Sequence, residues 1–124
     1  MNRTAVAVTL ATLFLALPAS AQQKAGSGQQ NVRVITKTLV GDSAHKECLA
    51  VSDRQTLRWW YRADALIDFR LHEAADSNKD LKKERQALGS GSFSPRAGGD
   101  FCLVWTNAGK KPLLFRVEIA RLAR

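Results

Sequence analysis

Apolar and polar side chains alternate in short runs from residue 31 to residue 122, the period of extended chain lying on a core. Residues 31–40 set Val32, Val34, Thr36 and Thr38 on one side and Arg33, Ile35, Lys37 and Leu39 on the other. Frequent β-branching makes this a first strand. Gly41, Asp42 and Ser43 predict a turn, and residues 47–51 predict a second strand carrying Cys48. Residues 56–61 oppose Leu57, Trp59 and Tyr61 to Arg58, Trp60 and Arg62, one greasy face and one basic face. After a turn at Ala63 and Asp64, residues 66–73 oppose Ile67, Phe69 and Leu71 to Asp68, Arg70 and His72. Residues 100–106 set Phe101, Leu103 and Trp105 against Cys102 and Val104. A turn over 107–112 then leads to a last strand over 113–122, with Leu113, Phe115, Val117 and Ile119 aligned.

Two stretches depart from the alternation. Residues 74–87 crowd Asp76, Lys79, Asp80, Lys82, Lys83, Glu84 and Arg85 around one large apolar residue, Leu81, and predict a solvated loop or a short helix. Gly89-Ser90-Gly91-Ser92 and residues 95–99 predict turns flanking a short segment at Phe93. About seven to eight short strands without a long amphipathic helix predict an all-β fold, an antiparallel β-sandwich of jelly-roll type.

The start of the chain has a different pattern. Met1, Asn2 and Arg3, an apolar run over residues 5–17, and Ala19-Ser20-Ala21 have the layout of a secretory signal peptide cleaved after Ala21. Pro18, Gln22, Gln23 and Lys24 cut the apolar run short of the ~20 residues a membrane anchor needs. Residues 1–21 are therefore expected to be a signal peptide, 22–30 a flexible Gln/Gly/Ser leader, and 31–124 one domain, exported to the periplasm or beyond the cell without a transmembrane anchor.

Charge and cysteines then take on a meaning set by that compartment. The formal net charge is +8, and losing Arg3 leaves the remainder basic. For an exported protein this points to anionic envelope material such as lipopolysaccharide, acidic polymers or acidic partner proteins, and makes nucleic acid an unlikely partner. Cys48 and Cys102 are the only cysteines, and an even pair in an oxidising compartment predicts a disulfide stabilising the fold by roughly 4 kcal/mol. The rival use as metal thiolates lacks a Cys-x-x-Cys or a histidine and carboxylate cluster at zinc-like spacing, so neither a metal nor another cofactor is expected.

Several segments together resemble a known family. Glu47-Cys48-Leu49, Leu57-Arg58-Trp59-Trp60-Tyr61 and Ile67-Asp68-Phe69-Arg70-Leu71 resemble the first half of the GOLD domain of the p24 (emp24/gp25L) cargo receptors. Phe93-Ser94-Pro95, the block from Gly99-Asp100-Phe101-Cys102 through Leu103-Val104-Trp105-Thr106-Asn107, and a closing apolar strand resemble its second half, over residues 46–122 in all. The resemblance implies a compact β-sandwich with a disulfide between the Cys48 and Cys102 positions, used as a protein or lipid interaction module without catalytic residues. The p24 proteins continue into a membrane-proximal helix, a transmembrane helix and a sorting tail, and this sequence has no counterpart of them after Arg124. The cargo-receptor role therefore does not carry over, and a bacterial-type soluble exported version is expected.

Three groups of residues suggest chemistry. With Leu57, Trp59 and Tyr61 facing inward, Trp60 stands outward between Arg58 and Arg62, an indole flanked by guanidinium groups that suits a sugar ring or an anionic polymer. The competing reading is structural, with the arginines stacked over Trp60 or a loop covering it. Asp68, Arg70 and His72, with Asp64 nearby, offer an acid and base pair, but Arg70 paired to Asp68 on the surface is the simpler expectation. Gly41-Asp42-Ser43 has the first letters of a GDSL hydrolase serine block but lacks its C-terminal Asp-x-x-His. Lys79, Lys82, Lys83 and Arg85 form a basic patch with Lys110 and Lys111 only if their loops meet at one end. The expected function is an exported, non-enzymatic binding module of the cell envelope. The alternatives are an inhibitor or modulator of an envelope hydrolase, and an enzyme or binder acting on anionic glycans.

Overall fold

A computed structural model describes residues 31–124, so the expected signal peptide and leader lie outside the described residues. The described residues are all-β and antiparallel. Six strands, β1 (Asn31–Leu39), β2 (Ala44–Val51), β3 (Gln55–Glu73), β4 (Asp76–Phe93), β5 (Gly99–Thr106) and β6 (Leu113–Ala123), form one curled sheet. Expected strands around 47–51, 100–106 and 113–122 sit within β2, β5 and β6, and the strand count is slightly lower than expected.

The lower count comes from β3 and β4. The two segments expected at 56–61 and 66–73 are one 19-residue strand, bent at the position of the expected turn. Arg62 pairs with Leu88 and Ile67 with Gln86, so four residues of β3 stand opposite only Ala87 of β4. This wide bulge turns the strand, as extra residues on one side of a ladder do. Burial shows the same break: Ala63 and Ile67 point inward, while Asp64, Ala65 and Leu66 are all exposed.

One edge of β3 pairs with β4 along most of its length. The other edge is divided, with β6 beside residues 55–63 and β5 beside residues 68–73. β1 adds to β6 and β2 adds to β5, giving two sheet halves joined through the bent β3–β4 hairpin. Facing halves bury apolar side chains between them, the sandwich solution to a one-sided hydrophobic sheet. Leu57, Trp59 and Tyr61 of β3 and Phe115, Val117 and Ile119 of β6 meet Phe69 and Leu71 of β3 and Leu103 and Trp105 of β5. Phe69 is the hub, its ring centroid 5.3 Å from each of Trp59, Tyr61 and Trp105.

Two sequence expectations are corrected here. Residues 76–93 are strand throughout, including the charged stretch expected as loop or helix and the Gly-Ser repeat expected as a turn. Gly89 and Gly91 lie opposite Tyr61 and Trp59. A Cβ on Gly89 would come within 2.3 Å of the Tyr61 ring, and one on Gly91 within 2.4 Å of Trp59. The glycines are thus the inward positions of a strand crossed by two large rings, a glycine–aromatic cross-strand pairing. The charged half survives as strand because its inward residues cover the core with their stems: Lys82 places its ammonium 5.4 Å from the Trp59 ring centroid, and Glu84 accepts a 2.6 Å hydrogen bond from the Tyr61 hydroxyl.

Cys48 and Cys102 are bonded to each other, as expected. They are direct cross-strand neighbours of β2 and β5, on the outer face of that half. At the end where β3 bends, buried Asn107 holds the turn after β1 against the loop before β6. Its side-chain amide donates to the Leu39 and Lys111 carbonyls at 3.0 and 2.8 Å, and its carbonyl accepts from the Gly109 backbone at 3.0 Å.

Candidate functional site

Register places the candidate residues Arg58, Trp60 and Arg62 on the outer face of the β1–β6–β3–β4 half. Trp60 lies between Glu118 of β6 and Ser90 of β4, Arg58 between Ala120 and Ser92, and Arg62 between Arg116 and Leu88. The alternation that buries Leu57, Trp59 and Tyr61 therefore presents an indole with an arginine two residues away on each side. Trp60 is half-buried, while Arg58 and Arg62 are exposed.

The neighbours of Trp60 are small. Ser90, Gly91, Ser92 and Ala120 keep the surface low around it, and a groove of about 470 Å³ runs over Val32, Arg58, Trp60 and Glu118. The serines that alternate with the two core-facing glycines line this groove, so one Gly-Ser repeat makes room for rings inside the sheet and leaves hydroxyls outside it. Among the described residues, neither Arg58 nor Arg62 forms an ion pair, and the cation lying over an indole is Lys82 on Trp59, not an arginine on Trp60. Arg116, the next cation on this face, is held by Glu118 at 3.2 Å.

The second candidate group has a different arrangement from the one expected. Asp68 pairs with Arg85 across β3 and β4, at 2.5 and 3.1 Å through two guanidinium nitrogens, and not with Arg70. Arg70 instead binds Asp80 at 2.7 Å and the Ser77 carbonyl at 2.6 Å. A two-residue step along one strand separates side chains by nearly 7 Å, whereas Arg85 is directly opposite Asp68, and Asp80, opposite His72, is reached diagonally by the long Arg70 side chain. The Arg85 hydrogen bond holds the Asp68 carboxyl below its usual range. His72 shares this outer face but is buried, with Cys102 beside it on β5 and Asp80 on β4, and its Nδ1 lies 2.7 Å from the Glu73 carbonyl. Each group is thus engaged in a structural contact.

The basic residues of β4 do not gather at one loop cluster. Lys82 points inward and Lys83 outward, while Arg85 lies near Lys110 and Lys111 at the bend end. Gly41 and Asp42 are in a turn, with Asp42 at positive φ and its carboxylate bound to Lys110 at 2.7 Å. Among the described residues, no group of three or more His, Cys, Asp or Glu side chains is placed to hold a metal ion. No helix there is long and apolar enough to cross a membrane.

The face around Trp60 is legible from alternation, but the membership of Ser90, Ser92, Val32 and Glu118 in it is not. The β3–β4, β3–β6 and β1–β6 registers bring them there.

No protein-family model and no curated protein matches the chain. Solved structures similar to it at low identity include two of different origin. One is a de novo designed double-stranded β-helix, at 15% identity and a TM-score of 0.47, covering 70% of this chain and 97% of that one. The other comes from work on Bacillus endospore appendages forming disulfide-linked pili, at 13% identity and a TM-score of 0.42, covering 79% of this chain and 93% of that one.

Proposed function

We propose that this protein is an exported, non-enzymatic binding module of the cell envelope with a GOLD-like domain, which holds an anionic envelope component on its Arg58, Trp60 and Arg62 face. The single observation carrying this reading is the half-buried Trp60 indole, which lines a groove with Arg58 and has exposed Arg62 two residues on, neither arginine making an ion pair among the described residues. An indole set in a sheet is already ordered, so stacking a ring on it costs little side-chain entropy, and guanidinium groups bind carboxylate or phosphate in a forked geometry. The hydroxyls of Ser90 and Ser92 add donors and acceptors along one side. The GOLD-like part rests on the residue resemblance, supported by an antiparallel two-layer arrangement and by pairing of the two cysteine-bearing strands.

The test is affinity electrophoresis of the disulfide-bonded protein through gels containing alginate, an acidic polysaccharide, or dextran, a neutral one. Retardation by alginate alone is expected, with Trp60→Ala and the Arg58→Ala/Arg62→Ala pair each weakening it by roughly tenfold, the scale of one aromatic stack or one charged pair. Equal retardation of all variants would remove the face from the proposal. Shortening of the polymer during the run would make the protein an enzyme. Stoichiometric recovery of one inhibited hydrolase from an envelope extract would favour the inhibitor reading.

A further inference from the structure

The exposed apolar side chains are unevenly distributed over the molecule. Val32 and Val34 are exposed along β1, whereas Val40, Leu66, Leu88 and Leu114, each more than half exposed, lie toward the end where β3 bends. Scattered exposed leucines need no explanation, but a cluster at one end does. The register brings three of these four toward one another. Leu88 is opposite Arg62, and the Leu114 backbone donates a 3.0 Å hydrogen bond to Asp64, two residues before Leu66. Leu66 in turn lines a groove of about 660 Å³ with Pro112 and Lys111, and Val40 follows Leu39, which pairs with Leu113 next to Pro112.

Cations outnumber carboxylates around this cluster: Lys37, Arg62, Arg85, Lys110, Lys111 and Arg116 against Asp42, Asp64, Asp68 and Glu118. Those carboxylates are also committed within the fold, Asp42 to Lys110, Asp68 to Arg85, Glu118 to Arg116 and Asp64 to the Leu114 backbone. Among the described residues Lys111 and Arg62 have no carboxylate partner, and residues 1–30 contain no Asp or Glu to supply one. Apolar side chains projecting from a bulge and turns, within a ring of excess positive charge, complement an anionic lipid surface, where the former enter the acyl boundary and the latter meet headgroups.

We propose that the bend end of the molecule, with Leu66 and Leu114 as its inserting side chains and Lys111 and Arg62 as headgroup contacts, docks on an anionic lipid surface. Asn107 makes this end stiff enough for the purpose, because it ties the turn after β1 to the loop carrying Lys110 and Lys111. Arg62 also belongs to the Arg58, Trp60 and Arg62 face, whereas Leu66, Leu114 and Lys111 lie outside the Trp60 groove.

Co-sedimentation of the disulfide-bonded protein with phosphatidylcholine vesicles, with and without phosphatidylglycerol, tests it. Binding is expected only to vesicles containing phosphatidylglycerol and should weaken as salt rises. Leu66→Asp and Leu114→Asp should each reduce vesicle affinity by about tenfold, and Lys111→Glu by several-fold, while Arg96→Glu, the same charge change on the exposed loop before β5, leaves it unchanged. Circular dichroism identifies any leucine variant that fails to fold, and Lys111→Glu on its exposed loop then decides the matter. Equal sedimentation of folded leucine variants and the parent, or of Lys111→Glu and the parent, would show non-specific attraction by net charge and overturn the proposal. Failure of the parent to bind phosphatidylglycerol vesicles would also overturn it and leave this end to a protein partner.

Discussion

Burial leaves the Tyr61 hydroxyl facing the Glu84 carboxylate at 2.6 Å, and both burial and that neighbouring acceptor push the phenol's pKa above its ordinary value. A folded-state value above the unfolded one means that the folded chain holds this proton more tightly. The associated stability is fully present below the ordinary phenol pKa of about 10 and is lost as pH rises through the folded value. Tyr61 is the only tyrosine, so the tyrosinate absorbance band reports on this group alone. In an alkaline titration that band is expected to appear together with loss of the β circular dichroism signal, and the melting temperature should fall above pH ~10. Tyr61→Phe should remove the tyrosine-linked part of this fall and lower stability at neutral pH by about 1 kcal/mol through the lost hydrogen bond. Asp68 acts in the opposite pH range, because Arg85 lowers its folded pKa. Its smaller contribution is present above the ordinary carboxylate pKa of about 4 and is lost as pH falls through the lowered value. Asp68→Asn should therefore flatten the acid limb of a melting-temperature profile.

Among the elements, β4 departs furthest from what its composition suggests, and Gly89 and Gly91 are the reason it can be a strand. The space a Cβ would need at these two positions is taken by rings 2.3 and 2.4 Å away, so Gly91→Ala must displace Trp59 or bend the β3–β4 ladder. Such overpacking is expected to cost about 1–3 kcal/mol, measured as a lower midpoint in urea, whereas Ser90→Ala, whose side chain faces out, should change the midpoint little. The same strand explains which parts of the fold are legible in the sequence. Leu57 to Tyr61 alternates because one face is buried and the other is at the surface, so that strand and its inward residues can be read from the pattern. Phe101 to Trp105, by contrast, is apolar throughout and reads as a strand buried on both faces, Cys102 included. In β4 the partner's rings supply the apolar surface and the strand supplies glycines or stems, a division of labour absent from either sequence taken alone. The bend resembles a turn for a related reason: Ala63 to Leu66 breaks the alternation as a turn would, and only pairing of both flanks to β4 shows that the strand continues. The Arg58, Trp60 and Arg62 face follows from local alternation, whereas the ion pairs of Asp68 and Arg70 depend on a long-range register that composition does not encode.

For the molecule as a whole, the question is how two sheet halves sharing one bent hairpin resist coming apart at their edges. Within the sheet, β2 pairs only with β5, so its attachment depends on that ladder and on the Cys48–Cys102 bond across it. Side chains bridge the gap to β1, since Arg33 hydrogen-bonds Glu47 and the Lys37 ammonium lies 3.3 Å from His45 Nδ1, but exposed contacts of this kind contribute little each. The disulfide, by contrast, spans 54 residues that include all of β3 and β4 and so restricts a large part of the unfolded chain. In the chain-entropy model that closure is worth about 4 kcal/mol, set against the 5–15 kcal/mol typical of a whole domain. Reduction, or Cys48→Ala/Cys102→Ala, should therefore lower the urea midpoint substantially. If the loss acts through the unfolded chain alone, amide exchange in all strands should accelerate together. If β2 also depends on the bond for local attachment, its amides should exchange first while the β3–β6 ladder remains protected, and the edge position of β2 makes this second pattern the expected one.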